Sequence, residues 1–235
     1  MSLNIINNFK LFSRFPSMYE VFNPLTNLNR QHFVEWFSGS VLDSIWVITN
    51  NAGGTGSSGM VDEVDGGFSV TSDTGAFQGT ELSFGGGVGA GNALHKVFDF
   101  DASVMLFVMK WDTDSTLVNA SGCGLHSEVR GDGAGNNAAI MEYDNKSSFF
   151  RLRTINNAGS QTNTATSLLT DTNFHLHKIE TKASSVDLTI DGATAVTSTT
   201  NLPTIGMQPN FGGQKLTGTG TANTYQIRYV EAFNT

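Results

Sequence analysis

Cysteine is all but missing from this chain: Cys123 is the only one in 235 residues. One thiol closes no intramolecular disulfide and builds no cysteine-based zinc cluster, so the fold is expected to stand without staples and without an oxidising compartment. Charge is scarce as well. Charged residues make up 14 % of the sequence, against about 25 % in ordinary globular proteins, and Gly, Ser, Thr and Asn fill the polar positions instead. The net charge of −8 has the wrong sign for nucleic acid, since binding a phosphate backbone needs clustered Lys and Arg. Long apolar runs are missing too. The longest, Val104 to Met109, falls far short of the roughly 20 residues of a bilayer-crossing helix, so no membrane span is expected. The N-terminus does not show a charged region, an apolar run and a small-residue cleavage site in that order. The expectation is a protein made in a cytoplasm that acts at a virion surface or outside the cell after release.

Helical periodicity is absent after residue 30, and β patterning takes its place. The stretch FVEWFSGSVLDSIWVITN at 33–50 sets two β-type runs around a polar turn and holds two of the three tryptophans, which marks it as a core anchor. YQIRYVEAF at 225–233 is its counterpart, and the two are expected to be antiparallel neighbours with Trp46 and Phe107 in the core between sheets. KVFDFD at 96–101 alternates apolar with polar, and VMLFVMKW at 104–111 is apolar almost throughout, as in a central strand covered on both sides. GGTGSSG at 53–59 reads as a loop, and Gly66-Gly67 reads as the turn of a hairpin. Asp191-Gly192 is a second, stronger turn signal, between VDLTI and ATAVTST. Roughly twelve to fourteen short strands with regular turn signals predict a sandwich or barrel.

Residues 1–32 read as an N-terminal arm, and residues 33–235 as one β-sandwich domain. Leu3, Ile6, Phe9, Phe12 and Phe15 recur every third residue with Lys10 and Arg14 between them, and Tyr19 and Phe22 extend the apolar content. Pro16 and Pro24 divide any helix there into short pieces. So much apolar surface needs a cover, either on the arm's own domain or on a neighbouring subunit. The second choice makes the protein a homo-oligomer or a partner of a capsid or particle protein.

The order and texture of the strands resemble the concanavalin A-like lectin/glucanase superfamily, in the broad sense that includes laminin-G-like domains. FVEWFSGSVLDSIW resembles its opening segment, NASGCGLHSEV, NNAAIMEYDN and FFRLRT its central strands, FHLHKIETKASSVDLTIDG its His-containing strand with a following Asp-Gly hairpin, and NTYQIRYVEAF its closing strand. The resemblance covers residues 33–235 and implies a jelly-roll sandwich of two antiparallel sheets, one of them concave. Lectins and viral capsid proteins both use jelly rolls, so the fold does not choose between them.

Retaining glucanases of that superfamily set their carboxylates in a Glu-x-Asp-x-x-Glu spacing on one strand, and a retaining mechanism holds acid and nucleophile about 5 Å apart. Glu142-Tyr143-Asp144 begins this spacing and Ser147 ends it; Glu63-Val64-Asp65 begins it and Phe68 ends it. Neither supplies the pair, so no enzyme activity is expected, and Glu142 with Asp144 reads as a strand edge and its turn. The glycine-rich loop at 85–92 has neither the lysine nor the helix of a phosphate-binding loop, and no cofactor is expected. His175 and His177 share a strand face and read as a partly buried, hydrogen-bonded pair rather than a metal site. Asp132-Gly133-Ala134-Gly135-Asn136 has the oxygen donors and glycines of calcium loops, with a carboxylate count that supports weak calcium binding at most.

Arg151 and Arg153 project from one strand face and, beside Glu142 on a concave sheet, are the candidate ligand-binding residues for a glycan or an acidic partner. The sequence thus leads to a non-enzymatic structural protein of a virus or bacteriophage particle, a capsid decoration or surface component that assembles through its arm. The alternative is a lectin-like carbohydrate-binding module that mediates attachment to glycans or to a host surface.

Overall fold

The computed structural model describes residues 32–51, 56–61, 66–71, 79–84, 98–111, 119–127, 137–144, 149–215 and 224–235. Among them every regular element is a β-strand and every strand pairing is antiparallel. Numbered in chain order, the strands form two sheets. Sheet A has eight, in the order β13 (Ala193–Ser198), β12 (Ser185–Ile190), β11 (His175–Lys182), β6 (Ala102–Trp111), β15 (Thr224–Asn234), β4 (Phe68–Thr71) and β3 (Ser57–Met60), with β1 (His32–Trp36) also paired to β15. Sheet B has seven: β10 (Gln161–Leu169), β9 (Phe149–Ile155), β8 (Ala138–Asp144), β7 (Asn119–His126), β14 (Gln208–Lys215), β5 (Gly79–Phe84) and β2 (Trp46–Asn51). This is the two-sheet antiparallel sandwich expected from the sequence.

The expected pairing of first and last strands is present, from His32 opposite Phe233 to Trp36 opposite Tyr229. The polar turn between β1 and β2 carries the chain from sheet A to sheet B. There the Ile45 amide donates to Asp43 Oδ1 at 3.0 Å, a side-chain turn that an aspartate forms readily. Trp46 is then buried between the sheets, with Phe33, Phe37, Phe84 and Phe211 at ring distances of 5.8, 5.5, 5.7 and 6.1 Å. Phe107 lies in the same core, edge-on to Phe211. Polar links also tie the layers together, among them the Tyr225 hydroxyl, which donates to the Phe211 carbonyl at 2.8 Å, and Thr154 Oγ1, which lies 2.9 Å from Ser198 Oγ.

Some expectations need correction. Ser57 to Gly59 belong to a strand, because ladder bonds to β4 outweigh the loop-like composition of an exposed edge. KVFDFD forms no full strand in its described part. Phe98 makes a single bridge to Met207, and the Asp99 amide donates to Asn234 Oδ1 at 2.9 Å instead of to a neighbouring backbone. On β6, Met105, Phe107, Met109 and Trp111 are buried, whereas Leu106, Val108 and Lys110 on the outer face are only half-buried. Trp36 is no core anchor: alternation along β1 sends Phe33 and Glu35 inward and leaves Trp36 46 % exposed on the outer face. The arm residues Leu3, Ile6, Phe9, Phe12, Phe15, Tyr19 and Phe22 lie outside the described residues, as do Glu63 to Asp65, the 132–136 loop and Ser147.

Candidate functional site

The outer face of sheet B follows from its register. Cys123, Leu125, Met141, Phe150, Leu152 and Phe211 point into the core, so the residues between them point out. Three transverse rows result. The first runs Arg151, Glu142, Gly122, Gly212, Glu81, Thr49, and the second Arg153, Ile140, Gly124, Asn210, Ser83, Val47. The third runs Ile155, Ala138, His126, Gln208. An outer sheet face normally carries exposed polar side chains. Here the polar side chains are buried: Glu142 is 1 % exposed, and Glu81 and Gln208 are each 3 % exposed, with Ser83, His126 and Asn210 equally enclosed.

Each strand places its group by alternation. On β8, Met141 in the core turns Glu142 outward, and the antiparallel neighbour β9 brings two guanidiniums to it: Arg151 Nη2 lies 3.2 Å from Glu142 Oε2, and Arg153 Nη1 lies 3.0 Å from Oε1. Arg153 also donates through Nε to Asn163 Oδ1 on β10 at 2.9 Å, which fixes its plane. On β5, Leu82 and Phe84 face the core and Glu81 and Ser83 face out. Glu81 lies over Gly212, where an added Cβ would stand 3.2 Å from Glu81 Cγ. The Asn210 amide donates to Ser83 Oγ at 2.9 Å. The Gln208 Oε1 acceptor is buried without a hydrogen-bond partner among the described residues. A buried amide oxygen of this kind has given up its bond to water and gains most from a donor supplied by a ligand.

The structure thus brings Glu142, Arg151 and Arg153 together as an ion-paired cluster, and it places Glu142 in the interior of the sheet rather than at a strand edge. Sequence reading missed Glu81, Ser83, His126, Gln208 and Asn210. Alternation in TELSF and QPNFG shows that these residues face away from the core, but only the pairing of distant strands shows that they share one face.

The two histidines of β11 differ from expectation. His175 is clamped between carboxylates, with Nδ1 2.6 Å from Asp191 Oδ2 and Nε2 2.9 Å from Asp171 Oδ1. Burial opposes its protonation, but the bonds to Asp191 and Asp171 outweigh burial and raise its pKa. His177 is fully buried, stacks on Phe107 at 4.9 Å, and has no hydrogen-bond partner at either ring nitrogen among the described residues. Burial, with the nearby charge of His175, pushes its pKa down to about 3. Among the described residues no three His, Cys, Asp or Glu side chains are placed to hold a metal ion.

No protein-family model matches the sequence, and no characterised protein matches it significantly. Solved structures do match its shape. The carbohydrate recognition domain of Emp47p superposes with a TM-score of 0.58 at 10 % identity, over 86 % of this chain and 94 % of that one. A native glycosidic hydrolase gives 0.57 at 16 % identity, over 88 % and 97 %. A structure of botulinum neurotoxin type C, whose cell entry depends on two ganglioside molecules, gives 0.54 at 12 % identity over 80 % of this chain. The chain spans less than half the length of that toxin chain, 43 %. Strand order, antiparallel pairing and these superpositions together show that the chain has the concanavalin A-like lectin/glucanase jelly-roll fold.

Proposed function

We propose that the protein is a glycan-binding, lectin-like module whose ligand lies across the outer face of sheet B, and that it serves attachment to glycan-bearing surfaces. The observation that carries this reading is the enclosed polar floor: Glu81, Ser83, Asn210 and Gln208 on one side of Gly122 and Gly212, and Glu142 with its two arginines on the other. Sugar hydroxyls both donate and accept, so they suit a floor of fixed carboxylates, amides and guanidiniums. The recognition domain of Emp47p supports the same reading. The structural neighbours lend no support to the expected shell-protein role.

Two carboxylates in one row also suggest hydrolysis, which a search for both on one strand overlooks. A retaining pair stands about 5 Å apart and an inverting pair about 6.5–9.5 Å. Three strand steps separate Glu81 from Glu142, roughly 14 Å between Cα atoms. Both cations, moreover, reach Glu142 from β9, the side away from Glu81. This arrangement favours binding without turnover.

The test is a glycan array probed with the full chain, followed by titration of the strongest hit. Glu142→Gln and Gln208→Ala are each expected to weaken binding roughly ten- to hundredfold, the worth of one lost bond to a charged or buried group, with circular dichroism unchanged. A folded chain that retains no glycan overturns the proposal. Turnover of the hit, abolished in Glu81→Gln, moves the protein to the hydrolases.

A further inference from the structure

The opposite surface of the sandwich carries a second feature. In sheet A the register aligns Trp36, Tyr229, Val108 and Leu176 in one row across β1, β15, β6 and β11. All four lie on the outer face, where polar residues are the rule for a solvated antiparallel sheet. Trp36 is 46 % and Leu176 40 % exposed, and Trp36 leans on Tyr229 with ring centroids 4.4 Å apart. On one side the next row alternates half-buried Val34 and Leu106 with Glu231 and Lys178. At the other side Phe174 lies under Arg228, 3.8 Å from its ring centroid, with Lys110 at 5.1 Å. A contiguous apolar row bounded by cation-covered aromatic surface is the mark of a docking site.

We infer that this row is the seat of the N-terminal segment, residues 1–31, of the same chain. Three observations select this occupant. Continuity is the first: the segment joins β1 at His32, whose side chain lies on this same face, 2.8 Å from Glu231. Reach is the second. The polar connection Thr26 to Gln31 spans up to about 20 Å when extended, and the row from β1 to β11 is three strand steps, roughly 14 Å. Chemistry is the third. Leu3, Ile6, Phe9, Phe12 and Phe15 supply apolar side chains at a regular interval to match the apolar row. Burial of apolar surface on both partners drives the contact, and covalent attachment removes most of the entropic cost of association.

Photo-cross-linking of the full chain tests this. With p-benzoylphenylalanine replacing Leu176, and light copies mixed with isotopically heavy ones, the expected product joins position 176 to residues 1–31 of the same chain. The link is expected to be lost in a Phe9→Asp, Phe12→Asp variant. It is also expected to be absent when the label replaces Leu169, which is 60 % exposed on β10 of the other sheet. Links between light and heavy copies assign the row to a second copy and overturn the inference. So do a link that survives the aspartates, an equal link from position 169, or no link to residues 1–31.

Discussion

Two buried titratable side chains act on stability in opposite directions. Glu35 points inward from β1; burial, and then the negative charge of Asp43, push its carboxyl up to about 7. The folded chain therefore binds this proton more tightly than the unfolded chain, in which the group titrates near 4.3. Its contribution is complete below that value and is lost as pH rises toward about 7. Glu35→Gln is expected to match the parent near pH 4 and exceed it by about 2–3 kcal/mol near pH 8, read from urea midpoints. His177 works the other way. With its pKa down to about 3, its contribution is present above the ordinary value of about 6.5 and is lost as pH falls. His177→Leu is expected to flatten the acid limb of the stability profile, gaining about 2 kcal/mol near pH 5 relative to pH 8. A parent profile flat between pH 4 and 8 and unchanged by either substitution contradicts this account.

At the level of strands, the glycine on β14 matters most to the proposed site. Gly212→Val puts a β-branched side chain where the nearest Glu81 carbon would be 3.2 Å from its Cβ. The expected result is an intact sheet by circular dichroism and the loss of glycan retention on an affinity column. The hairpins were legible in the sequence because their signals are local. Asp191 and Gly192, both at positive φ, turn β12 into β13, and the short gap between β8 and β9 set Arg151 beside Glu142. Trp36 misled because aromatic content does not say which way a strand residue points; the partners of β1 decide that. Glu81, Gln208 and Asn210 were illegible as a site for a similar reason. Each looks like an ordinary solvent-facing position, and only the order β8, β7, β14, β5 gathers them. The missing hydrogen-bond partners of His177 leave no trace in its own segment at all, since its cage of Phe107, Trp111 and Phe150 comes from two other strands.

For the molecule as a whole, the continuous core that joins the two sheets contains the buried thiol of Cys123, the single cysteine of the sequence, so the melting temperature is expected to be the same with and without reductant; a shift reveals a cross-link between chains. The place of β15 has a further consequence, for the timing of folding. Along one edge it meets β6, and along the other it meets β4 and β1 in turn. Until residues 224–234 have left the ribosome, sheet A exists as unjoined pieces: the ladder of β13, β12, β11 and β6, the hairpin of β3 and β4, and a β1 with nothing beside it. Among the described strands, the first to be synthesised thus waits for the last. Pairings of such wide sequence separation fold slowly, in roughly milliseconds to seconds. A nascent chain stalled with β15 still in the exit tunnel is expected to be cut rapidly by protease near Trp36, and to become resistant once about a dozen more residues emerge.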